Sequence, residues 1–573
     1  MSGTADLRLD LAQVPFSRAG SWLDLSPVAG QHDVRDQVHL VSHVQGMHAV
    51  LELVPVTASG PVAHEVGADP AVLTWTAAEG RVRAVFAGDD VVRFRGEGLG
   101  LRVAAAAPEL TPFSGTYLVE EPVSGTVVLT SYETGRRYRV GVEVGDVVVE
   151  GAQRTGRCAR SVTVLPDGTG VAELWVQELP GEAPRWRPAR SFEDERAAVA
   201  DELAAYVARV AGWRTDRTPA AAAAVHLLWS ATVAPSGYVG TDAVLMSMNW
   251  MDKVWSWDHC FNALALAEGD PALAWQQLRL PFAHQDEHGA LPDSVTQSEV
   301  LRNFVKPPVH GWALQSLLAR VAERPDPAVL AEVLDELAAW TTWWTTRRTA
   351  PGRRLPHYQH GNDSGWDNAT VFAEEQLLET ADLAAFLAVQ AQVVADLASE
   401  LGRDEQARHW SARADVLVEG LVEELWDGEQ LVSRAVVSGA RRRTRSLQPL
   451  LALLLGERLP AAVREALVAR LDDHLTEHGL ATEPVGSAAY EPDGYWRGPI
   501  WAPSTVLVVE GLRRCGHDGL ADDVARRFLR LCERSGFAEN FDAVTGEGLR
   551  DRAYTWTASA YLLLARDAGA PAR

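Results

Sequence analysis

Four segments of this sequence crowd aromatic, acidic and glycine residues together where helical periodicity fails. Sites are usually built on such loops when a rigid scaffold holds them. The first is Asn249-Trp250-Met251-Asp252-Lys253-Val254-Trp255-Ser256-Trp257-Asp258-His259, and the second is Phe304-Val305-Lys306-Pro307-Pro308-Val309-His310-Gly311. The third is Gly361-Asn362-Asp363-Ser364-Gly365-Trp366-Asp367-Asn368. The fourth joins Tyr495-Trp496-Arg497-Gly498-Pro499-Ile500-Trp501 to Phe537-Ala538-Glu539-Asn540-Phe541-Asp542 and Thr545-Gly546-Glu547-Gly548. Indole faces stack on the axial C–H bonds of sugars, and carboxylates bind hydroxyls and move protons. This mixture of residue types therefore reads as a glycosidase.

Two kinds of element must position these loops. Up to about residue 185 the hydrophobic period is two: Val82, Ala84 and Phe86 alternate with Arg81 and Arg83, and Tyr138, Val140, Val142 and Val144 alternate with Arg139, Gly141, Glu143 and Gly145. Further short runs at 126–130, 147–150, 161–165 and 171–176, separated by turns such as Gly88-Asp89-Asp90 and Pro166-Asp167-Gly168, favour an antiparallel β-sandwich. A proline-rich break through Pro188 follows, and Ser191 with Asp194 forms a capping box for a helix running to about Trp213. Thereafter the pattern is helical, with starts expected near Pro219, Asp258, Pro271, Pro308, Pro327, Glu374, Asp404, Leu447, Pro460, Pro503, Asp518 and Trp556. Paired by short connections, these helices predict an (α/α)6 barrel. The expected division is a β-sandwich over 1–185, a linker with a helix over 186–216 and the barrel over 217–573.

Composition narrows the function. A hydrophobic fraction of 47% and a charged fraction of 23% are those of a globular protein. A net charge of −24 repels phosphate backbones and anionic lipid heads, which argues against nucleic acid and membrane partners. The start of the chain shows no basic segment followed by an apolar run, so a cytoplasmic location is expected. Cys158, Cys260, Cys515 and Cys532 have no metal or disulfide spacing and read as reduced and mostly buried. His284 and His288 lack the Glu directly after the first His that zinc hydrolases use, so neither a metal nor another cofactor is expected. Arg441, Arg442, Arg443 and Arg445 read as a solvated loop, and Trp340, Trp343 and Trp344 as one buried helix face.

Taken in order, Trp255-x-Trp257-Asp258, Lys306-Pro307-Pro308, Asp363-Ser364-Gly365-Trp366-Asp367-Asn368, the segment from Tyr495 to Trp501, and Glu539-Asn540-Phe541-Asp542 with Thr545-Gly546 resemble glycoside hydrolase family 63. That family includes processing α-glucosidases and mannosylglycerate and glucosylglycerate hydrolases, and trehalases look related. The resemblance spans roughly residues 219–564. It implies an inverting exo-acting α-glycosidase on a small glycoside or oligosaccharide, with Asp367 as general acid and Glu539 as general base. Asp367 would then hold a proton at neutral pH while Glu539 stays ionised across a gap of about 6.5–9.5 Å. Trp255, Trp257 and Asp258 would bind the sugar, Gly365 would offer a backbone contact, and Trp366, Trp496 and Trp501 would wall the pocket. Three positions depart from the family pattern. Lys306 replaces the usual Gln, and its cation there could select an anionic substrate. Asp363 stands where Glu is common, and Ala369-Thr370 where Ser-Pro is common. A polysaccharide lyase or a glycan-binding protein of the same architecture is the alternative, and the oligomeric state is left open.

Overall fold

The computed structural model describes residues 7–569; residues 1–6, the start of the stretch read for a leader, and 570–573 lie outside them. The described chain divides into two compact units. One comprises residues up to Gly212 with Val225–Asp252 and Thr296–Ser298, and the other comprises Trp213–Ala224, Lys253–Val295 and the remainder from Glu299.

The first unit is an antiparallel β-sandwich. One sheet runs in the order Leu23–Gly30, Asp33–Ser42, His48–Thr57, Gly100–Ala105, Ser161–Leu165 and Asp146–Glu150. The other runs Thr116–Glu121, Thr126–Ser131, Arg137–Val144, Val171–Leu179, Val91–Glu97, Gly80–Phe86, Val72–Ala77 and Glu65–Asp69. Alternation sends Leu40, Leu53, Val103 and Val162 of the first sheet and Phe94, Leu129, Tyr138 and Val140 of the second into one apolar core. Gly141 lies opposite Trp175, and a Cβ there would stand 2.0 Å from the indole, so only glycine leaves room for that ring. Helix α1 (Phe192–Val210) starts at Ser191, whose hydroxyl accepts from the Asp194 amide at 3.1 Å, as the capping box predicts. The Arg83 guanidinium lies 5.0 Å from the Phe192 ring centre.

The same unit buries a charged triad. His43 places Nε2 2.7 Å from Asp24 Oδ2 and Nδ1 2.9 Å from Asp252 Oδ2. Burial pulls the imidazole pKa down, but the two flanking carboxylates raise it to about 10, and His43 is held as an imidazolium.

Helix α2 (Ala221–Ser230) is followed in the second unit by α3 (Asp258–Leu266), α4 (Pro271–Arg279), α5 (His310–Arg320), α6 (Pro327–Arg347), α7 (Ala381–Glu400) and α8 (Asp404–Gly420). A 3₁₀ segment (Gln448–Arg458) precedes α9 (Ala461–His474), α10 (Ala502–Arg514), α11 (Asp518–Ser535) and α12 (Thr555–Gly569). Helices α3, α5, α7, the 3₁₀ segment, α10 and α12 each pack on the next, and α12 packs back on α3. That closure makes an inner ring of six, with α4, α6, α8, α9 and α11 alternating along the chain as outer elements: an (α/α)6 barrel. Because ring helices touch neighbours on both flanks, α7 is apolar on nearly every face. It alone among the described helices is long and apolar enough to cross a membrane, yet it is buried here.

Most expected starts meet a helix. The exception is Glu374, since α7 begins seven residues later. Leu378–Glu379 pairs with Ser433–Ala435 instead, and Arg434 binds the buried Glu379 carboxylate, so the acidic stretch from Glu374 leads into a small sheet before the helix. Trp340 and Trp344 are fully buried, and Trp343 stacks on Trp340 with ring centres 5.1 Å apart. The arginine cluster is paired, Arg442 with Glu374 and Arg443 with Asp427 and Glu429. Cys260 and Cys532 are buried and Cys158 and Cys515 half-buried, all as free thiols.

Candidate active site

The motifs of Lys306, Asp367, Trp496 and Glu539 each fall in a segment that leads from an outer element into an inner helix, and the Trp255 motif lies in the segment that enters the inner helix α3. Successive inner helices enter the ring in the same sense, so these segments gather at one end of the barrel. The loops are tied to one another there. Trp255 pairs with Ser294 in a short ladder, and the Val305 amide donates to Asp363 at 3.1 Å. Asn368 accepts from the Trp496 amide at 3.0 Å and donates to the Gly494 carbonyl at 3.0 Å. The Ile500 amide donates to the Phe541 carbonyl at 2.7 Å. Asp367 is thus joined to the 495–501 loop, and that loop to the strand that follows Glu539.

Local sequence explains each anchor. The 3₁₀ turn Gly361–Ser364 ends at Gly365 with φ +70°, and a Cβ there would lie 2.3 Å from the Trp257 ring. Gly365 is therefore required by the adjacent indole as well as by its backbone. Asn540–Phe541 pairs with Gly548–Leu549 in a hairpin whose turn is held by Asp542, a carboxylate that accepts from the Val544 and Thr545 amides at 2.7 and 2.8 Å. Glu539, at the root of that hairpin, donates its amide to the Asp551 carbonyl at 2.7 Å. Pro307 and Pro308 lead Lys306 into α5, consistent with their fixed φ.

The structure gathers the charged candidates. Asp258, at the first residue of α3, is 4% exposed, and Glu539 is 3% exposed. Lys306 Nζ lies 3.0 Å from Asp293 Oδ1 and donates to the Asn362 carbonyl at 2.9 Å, while Asp258 and Asp367 are within electrostatic reach of it. Tyr495 hydrogen-bonds Glu539 and also faces Asp367, and Tyr554 faces both Glu539 and Asp258. Two phenols thus connect the three carboxylates into one cluster.

Burial dominates the protonation of this cluster. It pushes the Asp258 carboxyl up to about 8 against the pull of Lys306, so this group is mostly neutral at pH 7. Asp367 is also raised by burial, with Lys306 and His360 pulling it down and Asp293 pushing it up. Burial thus moves this carboxyl in the direction an acid requires. Glu539 differs from the sequence expectation of a fully ionised base. Burial and the neighbouring Asp551 charge raise it to about 7, against the pull of the Tyr495 hydrogen bond, Arg550 and a hydrogen bond from the Asp551 backbone.

The aromatic candidates form a continuous buried wall. Trp496 stacks on Trp501 with centres 4.0 Å apart and planes 7° apart, and Trp366 lies 4.6 Å from Trp496. Trp257 meets Trp556 edge-on at 4.8 Å. Trp255 is half-buried on its short strand. Asp258 Oδ2, Trp496 Nε1 and Trp556 Nε1 are buried with no hydrogen-bond partner among the described residues, which costs free energy unless a polar ligand engages them. Asp293, Tyr554, Asp551, Arg550 and Trp556 lie outside the residues chosen from sequence; Tyr495 sits inside a chosen motif without having been assigned a role. Among the described residues no group of three His, Cys, Asp or Glu side chains is arranged to hold a metal ion.

A β-sandwich unit and an (α/α)6 barrel with clustered carboxylates define a carbohydrate-cleaving enzyme class. The family profile described as the mannosylglycerate hydrolase MGH1-like glycoside hydrolase domain matches residues 251–557. The chain belongs to that family, within glycoside hydrolase family 63, and is a glycoside hydrolase. The mannosylglycerate hydrolase of Rubrobacter radiotolerans is 26% identical over 400 residues, covering 54% of this chain and 89% of that protein. A crystal structure of the family 63 mannosylglycerate hydrolase from Thermus thermophilus in complex with glucose shares the fold at TM-score 0.53 and 23% identity, over 60% of this chain and 99% of that one. A bacterial glucoamylase complexed with acarbose matches at TM-score 0.64 and 12% identity over 97% of this chain and 94% of that one, so this fold likeness extends beyond the barrel.

Proposed function

We propose that this protein is an inverting, exo-acting α-glycosidase that cleaves a small glycoside of the mannosylglycerate or glucosylglycerate kind. The observation that carries this reading is that Tyr495 bonds Glu539 within electrostatic reach of Asp367, two buried carboxyls whose loops are linked through the 495–501 segment. Asp367 donates its proton to the glycosidic oxygen as the bond from the anomeric carbon to that oxygen breaks. Glu539 takes a proton from a water that attacks the anomeric carbon from the opposite face, so the new hydroxyl appears with inverted configuration. Asp258, neutral at pH 7, offers a hydroxyl proton to the sugar, and the unpartnered indole N–H groups of Trp496 and Trp556 are suited to its oxygens. The relatives named above support the substrate class.

Proton NMR during hydrolysis tests the mechanism. The β-anomer of the released sugar is expected first, and initial appearance of the α-anomer overturns inversion. Turnover of α-mannosyl and α-glucosyl glycerate, compared with longer α-glucans, tests the substrate class.

A further inference from the structure

Lys306 replaces a neutral glutamine of the family pattern with a cation, and the surroundings of that cation bear on substrate choice. An ammonium has three donors and no acceptor. One is directed at Asp293 at 3.0 Å and one at the Asn362 carbonyl at 2.9 Å, and the side chain is 8% exposed. Its backbone neighbours are equally fixed. The Val305 amide donates to Asp363, whose other oxygen lies 2.7 Å from Arg348, and two prolines follow directly. The charged or titratable groups facing Asp367 are Lys306, Asp293, His360, Asp258 and Tyr495. One ammonium therefore serves three carboxyls, and its pairing with Asp293 leaves Asp258 and Asp367 favoured to carry protons, since like charges in a buried site do not readily ionise together.

We infer that Lys306 is a positioning residue engaged by the protein's own carboxylates, fixing Asp293 and Asn362 beside Asp367 and setting the field in which that acid works, and is not an anchor for an anionic sugar. This inference rests on Asp367 being the acid.

The experiment compares Lys306→Gln and Lys306→Arg with the wild type. Loss of the cation should lower kcat alike on neutral glycosides and on mannosylglycerate, with KM little changed. It should also move the alkaline limb of the kcat profile to higher pH, because Asp367 then keeps its proton longer, and Lys306→Arg should restore much of the wild-type limb. A tenfold or larger rise in KM confined to carboxylate-bearing glycosides, or an unmoved alkaline limb, overturns the inference. The wild type alone supplies a second readout that needs no folded variant. It should cleave p-nitrophenyl α-glucoside or α-mannoside at least tenfold better than p-nitrophenyl α-glucuronide, and the reverse preference overturns the inference. Full activity of Asp367→Asn would instead remove the acid assignment itself. An inactive Asp367→Asn beside an unmoved limb in Lys306→Gln removes only the role given to Lys306.

Discussion

The Tyr495 hydroxyl donates to the Glu539 carboxylate from a residue whose φ is +62°, in the left-handed region that residues with a side chain rarely adopt. Three contacts hold it there. Trp501 Nε1 donates to the Tyr495 carbonyl at 2.8 Å, the Arg550 guanidinium lies 4.8 Å from the phenol ring centre, and Asn368 binds the residues on either side. Backbone strain persists only where its surroundings over-determine it, and at this position the strain aims a donor at a buried carboxylate.

Tyr495→Phe keeps the ring packing and removes that donor. A hydrogen bond to a charged group contributes about 1.5–3 kcal/mol, so kcat/KM should fall by roughly ten- to a hundredfold. The acid limb of the profile should move to higher pH, because the bond lowers the Glu539 pKa. Steady-state kinetics across pH check both, and an unchanged limb removes Tyr495 from control of the base.

Asp367→Asn and Glu539→Gln preserve shape while removing, respectively, the proton donor and the proton acceptor. Each should reduce turnover by roughly 10²–10⁴-fold, the range of general acid–base effects. Activated glycosides, whose leaving groups need no proton, should recover much of the rate in Asp367→Asn and none in Glu539→Gln. Equal recovery in both variants contradicts the division of roles.

The barrel was legible because its helix starts are marked chemically: proline follows a capping aspartate at Asp270-Pro271 and Asp326-Pro327, and both helices begin there. The sandwich was legible through alternation, as at Gly80–Phe86, where Val82, Ala84 and Phe86 are buried and Arg81 is exposed. Asp367 and Glu539 were visible only through surrounding motifs, since an isolated acidic residue in a loop is ordinarily a solvated charge. Asp293 and Asp551 sit in no motif and owe their places to tertiary neighbours, Lys306 for one and the Glu539 backbone for the other. The raised Glu539 pKa was out of reach for the same reason. It depends on burial and on Asp551, which the chain brings back beside Glu539 only after the hairpin turn.

Gly365→Ala tests the loop that carries Asp367. The added methyl meets the Trp257 ring at 2.3 Å and the backbone remains at φ +70°, so overpacking and strain act together. A loss of about 1–3 kcal/mol is expected in urea unfolding. Activity should drop further than stability explains, because the acid is displaced with its loop. A variant of wild-type stability and rate contradicts the close packing of Gly365 on Trp257.

His43 should dominate one part of the stability profile. Its pKa is raised from 6.5 to about 10 in the fold, so its contribution is fully present below about pH 6.5 and is lost as pH rises through 10. Asp24, raised by burial to about 6, acts in a lower window: the stability it gains from its folded-state proton is lost as pH rises through that value. Replacing His43 with Gln leaves two buried carboxylates without their cation and should cost about 3–5 kcal/mol at neutral pH. Urea unfolding at pH 6.5 and at pH 9.5 should show the gap between wild type and variant narrowing. A gap of constant size would show that the imidazole is neutral in the fold.

The pH profile of the wild type follows from the two carboxyls. Glu539 must be ionised and its pKa is about 7, so kcat/KM should rise as pH increases through 7; Asp367 must be protonated, so the rate should fall again once that proton is lost. Asp551 is the neighbouring negative charge that helps hold Glu539 high. Asp551→Asn removes the charge and keeps an oxygen able to accept from the Ala553 amide, a bond of 3.0 Å in the wild type. The acid limb should then shift to lower pH, because the charge that raises Glu539 is gone, and the alkaline limb should move less, because burial, Lys306 and Asp293 are the largest influences on Asp367. A shift in the alkaline limb instead would exchange the roles of the two carboxyls, with Glu539 as the acid and Asp367 as the base.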